Sequence, residues 1–226
     1  MFGEKLKTNI DTDFLKIIAI ISMFIDHIGM VFFPQYYIFR WIGRIAFPIF
    51  CYCMTVGVLY TNNVKSYILR LVIFAFISQP FYLLAFYYNN ILGNIFKLNI
   101  FFTLILSFIG IWSFKEKKVI LFIVINLLLI TGYFDYGNLG LIFMLVFYIF
   151  RNKPIWGMFL YVIIHIPYFI VGNFQFGVGV QAFAIFALPL IYIKTNTGIR
   201  LPKMFFYVFY PAHLLLIFIL RIVIGI

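Results

Sequence analysis

Long apolar runs separated by short polar turns dominate this chain. The first, from Phe14 to Pro34 (FLKIIAIISMFIDHIGMVFFP), is long enough to cross a bilayer, which takes about 20 residues at ~1.5 Å rise each. After a polar start, nine such segments follow the pattern: 14–34, 38–60, 67–88, 99–114, 118–132, 138–150, 155–172, 176–193 and 204–226. The fifth and sixth are short, as tilted or re-entrant helices would be. Helix is the secondary structure that satisfies its own backbone in lipid, so the pattern predicts an all-α, polytopic bundle of about nine transmembrane helices. No soluble domain, long linker or internal repeat interrupts it, and residues 1–226 read as a single domain.

The placement of the basic residues orients the bundle. Lys5 and Lys7 precede the first segment, Lys65 follows the second, and Lys115, Lys117 and Lys118 follow the fourth. Arg151 and Lys153 follow the sixth, and Lys194, Arg200 and Lys203 the eighth. All fall on one side of a nine-segment bundle. Among the opposite loops only Lys97 breaks the absence of basic residues. The positive-inside rule therefore puts the N-terminus in the cytoplasm and the C-terminus outside.

Composition agrees. Of 226 residues, 65% are hydrophobic and 10% charged, and the mean hydropathy is +1.11. The net charge of +11 sits in short loops, where it determines topology and does not indicate nucleic-acid binding. The first apolar run lacks a small-residue cleavage site and is expected to stay as a membrane helix of a bacterial inner-membrane protein. Cys51 and Cys53, two apart in an apolar run, face different sides of a helix and suggest neither a disulfide nor a metal site.

The candidate chemistry lies where polar residues interrupt the apolar runs. A carboxylate at the centre of a membrane helix costs about 2.5–3.5 kcal/mol on insertion scales, so Asp26 needs a compensating partner. Lys16 and His27 are eleven residues apart, close to three turns, and share one face with Ile20 and Met23 between them. Arg40 and Arg44 begin the second segment, where no loop bias places them, and Arg44 is set to pair with Asp26. Pro48, four residues on, is expected to distort that helix. Further along lie Gln79 beside Pro80, Asn99 in LNIFFT, Asp135 and Tyr136 in FDYGNLG, and His213 in FYPAHL after Pro211. His165 reads as packing and Gln79 as an interhelical hydrogen bond. No HExxH, GxSxG or phosphate-loop pattern is present, and scattered histidines do not make a zinc site. What remains is a histidine general base oriented by a carboxylate, with arginines to hold a negative group. That set suits acyl transfer from a thioester to an amine or hydroxyl. A small transporter or flippase with buried Asp, His and Arg is the alternative, and an assembly factor that only binds a membrane partner is a third reading.

LKIIAIISMFIDHIG, IGRIAFPIF, LNIFFT, DYG and FYPAHL occur in the order seen in TraX-type membrane proteins, and the resemblance covers almost the whole chain. The named member of that family is associated with N-terminal acetylation of pilin subunits. The family looks like a distant relative of larger transmembrane acyltransferases, whose first helix carries a basic residue, ten positions, then histidine, as Lys16 and His27 do. The resemblance implies an acetyltransferase with His27 as base beside Asp26, and acetyl-CoA as cytoplasmic donor held by Lys16 and Arg44. It implies an acceptor, a protein N-terminus or a glycan at the membrane or cell surface, contacted or supported by Arg40, Asn99, Asp135, Tyr136 and His213. No metal is expected.

Overall fold

The computed structural model of the protein describes residues 8–172, 174 and 177–225. Its α-helices are α1 (Thr12–Phe32), α2 (Ile38–Gly43), α3 (Ala46–Tyr60), α4 (Val64–Tyr87), α5 (Ile100–Lys115), α6 (Val119–Ile130), α7 (Leu139–Ile149), α8 (Pro154–Val171), α9 (Ala187–Tyr192) and α10 (Lys203–Ile224). Short 3₁₀ turns cover Tyr88–Asn90 and Leu92–Asn94, and a longer 3₁₀ run covers Gly177–Phe186. Among the described residues the only β-type pairing is an isolated bridge between Leu98 and Phe134. The chain is all-helical.

Five stretches among the described residues are long and apolar enough to cross a membrane: Thr12–Phe32, Ile38–Tyr60, Val64–Asn90, Pro154–Val171 and Lys203–Ile224. The other four apolar segments are also helical but shorter, at Ile100–Lys115, Val119–Ile130, Leu139–Ile149 and Gly177–Tyr192. α6 is apolar except for Asn126, whose amide donates to the Phe122 carbonyl, and it buries only Ile125 and Leu129, which leaves most of its surface suited to lipid.

Local chemistry explains where the helices begin and end. Asn63 and Asn99 cap α4 and α5, accepting hydrogen bonds from the backbone N–H groups of Ser66 and Phe101. Pro154 opens α8, where its missing N–H has no intrahelical partner to lose. Gly172 and Gly225 end α8 and α10 in the left-handed conformation, with φ of 68° and 76°.

Two expectations are corrected here. The second apolar segment is not one helix bent at Pro48: the break falls at Arg44–Ile45, ahead of the proline, and Pro48 sits in the first turn of α3. First-turn N–H groups are unbonded in any helix, so proline costs little there. The eighth segment is a 3₁₀ run followed by α9, since its opening GVGV is a poor α-helix former.

The chain divides into two compact units. One comprises Met1–Val56 and Phe143–Leu201, the other Gly57–Ile142 and Pro202–Ile226. In the first, α1 packs on α2, and α8 packs on the 3₁₀ run 177–186. In the second, α10 lies along α4, and α5 packs between α4 and α6.

A polar strap closes one end of the first unit. The Asn9 N–H donates to the Ile191 carbonyl at 3.0 Å, and its amide donates to the Leu190 carbonyl at 3.0 Å. Asp11 Oδ2 accepts from the Thr197 N–H and hydroxyl, both at 2.8 Å. The Tyr52 hydroxyl donates to the Asn9 carbonyl, and the Thr8 hydroxyl lies 2.7 Å from the same phenol oxygen. The basic Lys5 and Lys7 of the sequence pattern lie outside the described residues.

Candidate functional site

Asp26 is buried midway along α1, and its compensation comes from α2 and the residue that follows it. Arg44 Nη2 donates to both carboxylate oxygens, at 2.9 and 2.8 Å, and Arg40 Nη1 donates to Oδ2 at 2.7 Å. The pairing of Asp26 with Arg44 expected from the sequence is present, and Arg40 joins it. Spacing explains the convergence: residues 40 and 44 are one turn apart and present both guanidinium groups on one face. Arg44 is nearly as buried as Asp26, whereas Arg40 retains 29% side-chain exposure. Two guanidinium groups thus face one carboxylate inside apolar surroundings.

Two glycines allow this approach. A β-carbon at Gly43 would overlap the Asp26 carboxylate, and one at Gly29 would overlap the Phe39 side chain. The α1–α2 contact therefore depends on bare backbone, as close membrane helix pairs often do. Neither glycine stands out in the sequence. Each lies within three residues of a charged or ionisable motif residue, but glycine is common in membrane helices, and its position in the chain does not show what packs against it.

His27 follows Asp26 on α1 and is half-buried, about 100° around the helix from it. Ile20 and Met23, between Lys16 and His27 on the shared face, are buried. Lys16 is ion-paired to Asp13 at 3.1 Å and keeps 27% side-chain exposure. Trp41 of α2 stacks on Phe183 at 4.5 Å and donates its indole N–H to the Phe174 carbonyl at 2.8 Å. His165, also in this unit, is fully buried between the rings of Phe143 and Tyr161, with Nδ1 2.7 Å from the Tyr161 carbonyl. A carbonyl only accepts, so Nδ1 carries the proton.

The other predicted residues belong to the second unit. Asn99 is completely buried, and its side chain is fully occupied. Nδ2 donates to the Ala75 carbonyl and to Gln79 Oε1, both at 2.8 Å, while Oδ1 caps α5. Gln79 in turn donates to the Lys97 carbonyl at 2.7 Å. Asp135 accepts from the Tyr82 hydroxyl at 3.3 Å, and its backbone carbonyl accepts from the Thr103 hydroxyl at 2.8 Å. Tyr136 beside it holds φ of 63°, a left-handed conformation that costs a non-glycine residue roughly 1–2 kcal/mol. Gly137 continues the same turn at φ 48°. His213 is buried on α10, stacked on Phe209, with Nδ1 donating to the Phe209 carbonyl at 3.0 Å. Tyr82, Thr103 and Gln79 are thus supports of the motif residues. Gln79 and Thr103, the last residue of LNIFFT, are marked in the sequence by their polarity in apolar runs, and Tyr82 is not. Among the described residues no group of three or more His, Cys, Asp or Glu is arranged to hold a metal ion.

The family model for the TraX protein matches residues 11–221. The chain belongs to the TraX family. A probable fimbrial assembly protein, FimC of serogroup H1, from Dichelobacter nodosus is 26% identical over 232 residues, covering 90% of this chain and 92% of that protein. An uncharacterised protein of Rickettsia prowazekii (strain Madrid E) is 54% identical over 46 residues, 20% of this chain and 18% of that one. No solved structure matches. The TraX match begins at Asp11 and ends at Arg221, so it takes in both the Asp26–Arg40–Arg44 cluster and the Asn99, Asp135 and His213 group.

Proposed function

We propose that this TraX protein is an inner-membrane acyltransferase. It moves an acetyl group from cytoplasmic acetyl-CoA to an amine or hydroxyl on a membrane-anchored or cell-surface acceptor. The buried Asp26–Arg40–Arg44 cluster beside His27, inside a membrane-length helix, carries this reading. The similarity to a protein named for fimbrial assembly favours a pilus-related acceptor, with a pilin N-terminus as one candidate and a surface glycan as another.

In the proposed reaction His27 takes the proton from the acceptor's nitrogen or oxygen as that atom attacks the thioester carbonyl. A C–N or C–O bond forms, the C–S bond breaks, and the coenzyme A thiolate leaves and is protonated. Arginines at this position suit the developing oxyanion or a donor phosphate. Both Asp26 oxygens accept from arginine, so its part is to hold Arg40 and Arg44. A carboxylate tied by two guanidinium groups is a poor proton carrier, which disfavours a transporter. Lys16 would leave Asp13 to meet a donor phosphate on the cytoplasmic side.

Replacing His27 by Gln keeps volume and hydrogen bonding but removes the base, which usually costs ~10²–10⁴-fold in rate. His27→Gln protein is expected to insert, bind acyl-CoA and fail to transfer, while His165→Gln retains most activity. Transfer by purified His27→Gln at near wild-type rate would overturn the assignment and move the base to His213. Lys16→Ala is expected to raise KM for acyl-CoA more than it lowers kcat. Mass spectrometry of host surface proteins and glycans, with and without the chain, would identify the acceptor by one acetyl mass.

A further inference from the structure

Lys97 stands against the charge pattern of the whole chain. It is the one basic residue that the sequence pattern leaves in the loops of that side, where Arg40, Arg44 and Arg221 lie within apolar segments instead. Among the described residues no carboxylate pairs with its ammonium group. It lines an open cleft of about 330 Å³ together with Asn94, Phe96, Thr131, Gly132 and Tyr133.

The motif residues of the second unit build this cleft without entering it. Gln79, itself bonded to buried Asn99, grips the Lys97 carbonyl at 2.7 Å. Across the cleft, the Tyr133 carbonyl accepts from the Leu98 N–H at 3.4 Å, next to the Leu98–Phe134 bridge. The Thr103 hydroxyl holds the backbone of Asp135 two residues on. Both rims are therefore fixed at the backbone, while Phe96 and Tyr133 remain 74% and 55% exposed, their rings 6.5 Å apart. Gly132, at φ 82°, has nothing within 4 Å of where a β-carbon would stand. The opening is real space.

The hydrogen-bonding groups left over define the ligand. One Asn94 amide N–H donates to the Asn90 carbonyl, which leaves the second N–H as a donor and the oxygen as an acceptor, a match for sugar hydroxyls that both donate and accept. The Thr131 hydroxyl donates to the Leu128 carbonyl, which leaves its lone pairs. The cleft thus offers acceptors that need O–H donors, one cation that needs an anion, and two exposed ring faces for C–H surfaces. We infer that it binds an acidic saccharide, the polar head of the acceptor. This rests on the transferase reading above, and it deepens that reading by naming the acceptor class.

Binding is measurable without transfer. The full chain in phosphatidylcholine nanodiscs is titrated with methyl β-glucuronide and methyl β-glucoside, read by saturation-transfer NMR. The glucuronide is expected to bind, and the neutral glucoside more weakly. Lys97→Gln should weaken the glucuronide roughly threefold to fivefold and erase the preference for the acid, the scale of one exposed charge pair. Tyr133→Ala should abolish both signals, with melting temperature confirming the fold of each variant. His165→Gln, a packing position of the first unit, should bind the sugar as wild type does. Absence of glucuronide binding, or unchanged binding in both cleft variants, overturns the inference. So does loss of the signal when anionic phosphatidylglycerol replaces the neutral lipid, which would make the occupant a lipid headgroup. Such failures leave the transferase standing with a peptide acceptor, because only the loss of acetyl transfer in His27→Gln reads that step.

Discussion

At the scale of single residues, burial sets the worth of each partner of Asp26. Removing one side of a buried pair leaves an uncompensated charge, at about 3–5 kcal/mol. Arg44, almost fully buried, donates to both Asp26 oxygens. Arg40 still meets Oδ2 without it, so Arg44→Ala should fall below that scale yet lower the melting temperature more than Arg40→Ala. Arg40 is 29% exposed in its side chain, and Arg40→Ala should cost only about 1 kcal/mol because solvent screens what remains. Thermal unfolding of the two variants in one detergent tests the order, and an Arg40→Ala loss equal to or above that of Arg44→Ala contradicts it. Gly43→Ala adds a methyl where the Asp26 carboxylate already lies, so α2 must move or the carboxylate must turn away. That variant should lose stability and acetyl transfer together, although it removes no charge and no hydrogen bond. Wild-type melting in Gly43→Ala would mean that the helices do not approach as described.

At the scale of elements, the strap between residues 8–11 and 190–201 ties the start of α1 to the segment after α9. The Thr197 backbone N–H holds the Asp11 carboxylate below its ordinary range against the opposing effect of burial, with the Thr197 hydroxyl, the backbone near Phe14 and the Arg200 charge assisting. A carboxylate with a depressed folded-state pKa contributes stability fully above its unfolded value of 3.8. That contribution fades as pH falls through the lower folded value. Stability at pH 7 should therefore exceed that below pH ~4, and part of the difference should vanish in Asp11→Asn. Thr197 is exposed, so the loss in Asp11→Asn at neutral pH is expected near 1 kcal/mol, below the usual figure for charged hydrogen bonds. Melting curves at several pH values check this, and an Asp11→Asn profile parallel to wild type refutes it. Replacing Asn99 by Ala removes a helix cap and the amide bonds to Ala75 and Gln79, while Gln79 keeps the residue-99 backbone N–H and the Lys97 carbonyl.

At the scale of the whole molecule, the distribution of charge among the loops is the organising fact. Nine crossings would put Lys115–Lys118 in the cytoplasm and Ile226 outside, although only five of the described helical stretches have the length and hydropathy to span unaided. The short α6 and α7 would need tilt or a locally thinned bilayer, which costs fractions of a kcal/mol per Å of mismatch. A topology reporter in the Lys115–Lys118 loop should read cytoplasmic, and one after Ile226 external. Finding both on one side would break the nine-crossing arrangement.

The sequence by itself determined that the chain is helical, that it is made for a membrane, and that Asp26 needs a positive partner. These follow from local composition and period: a run of about 20 apolar residues has one stable form in lipid, and a buried carboxylate has few remedies. The TraX motifs were legible for the same reason, as contiguous strings. Tertiary structure alone decided which arginines meet Asp26 on which oxygens, and that the helix breaks at Arg44–Ile45 ahead of Pro48. It also decided that Asn99 is a buried cap of α5 bonded to Ala75 and Gln79. Gly29 and Gly43 gain meaning only when another helix arrives against them, and Lys97 gains a cleft only when the 131–133 turn is brought beside it. Periodicity reports which face of a helix is apolar, but the identity of the neighbour on that face is a long-range fact that no local window contains.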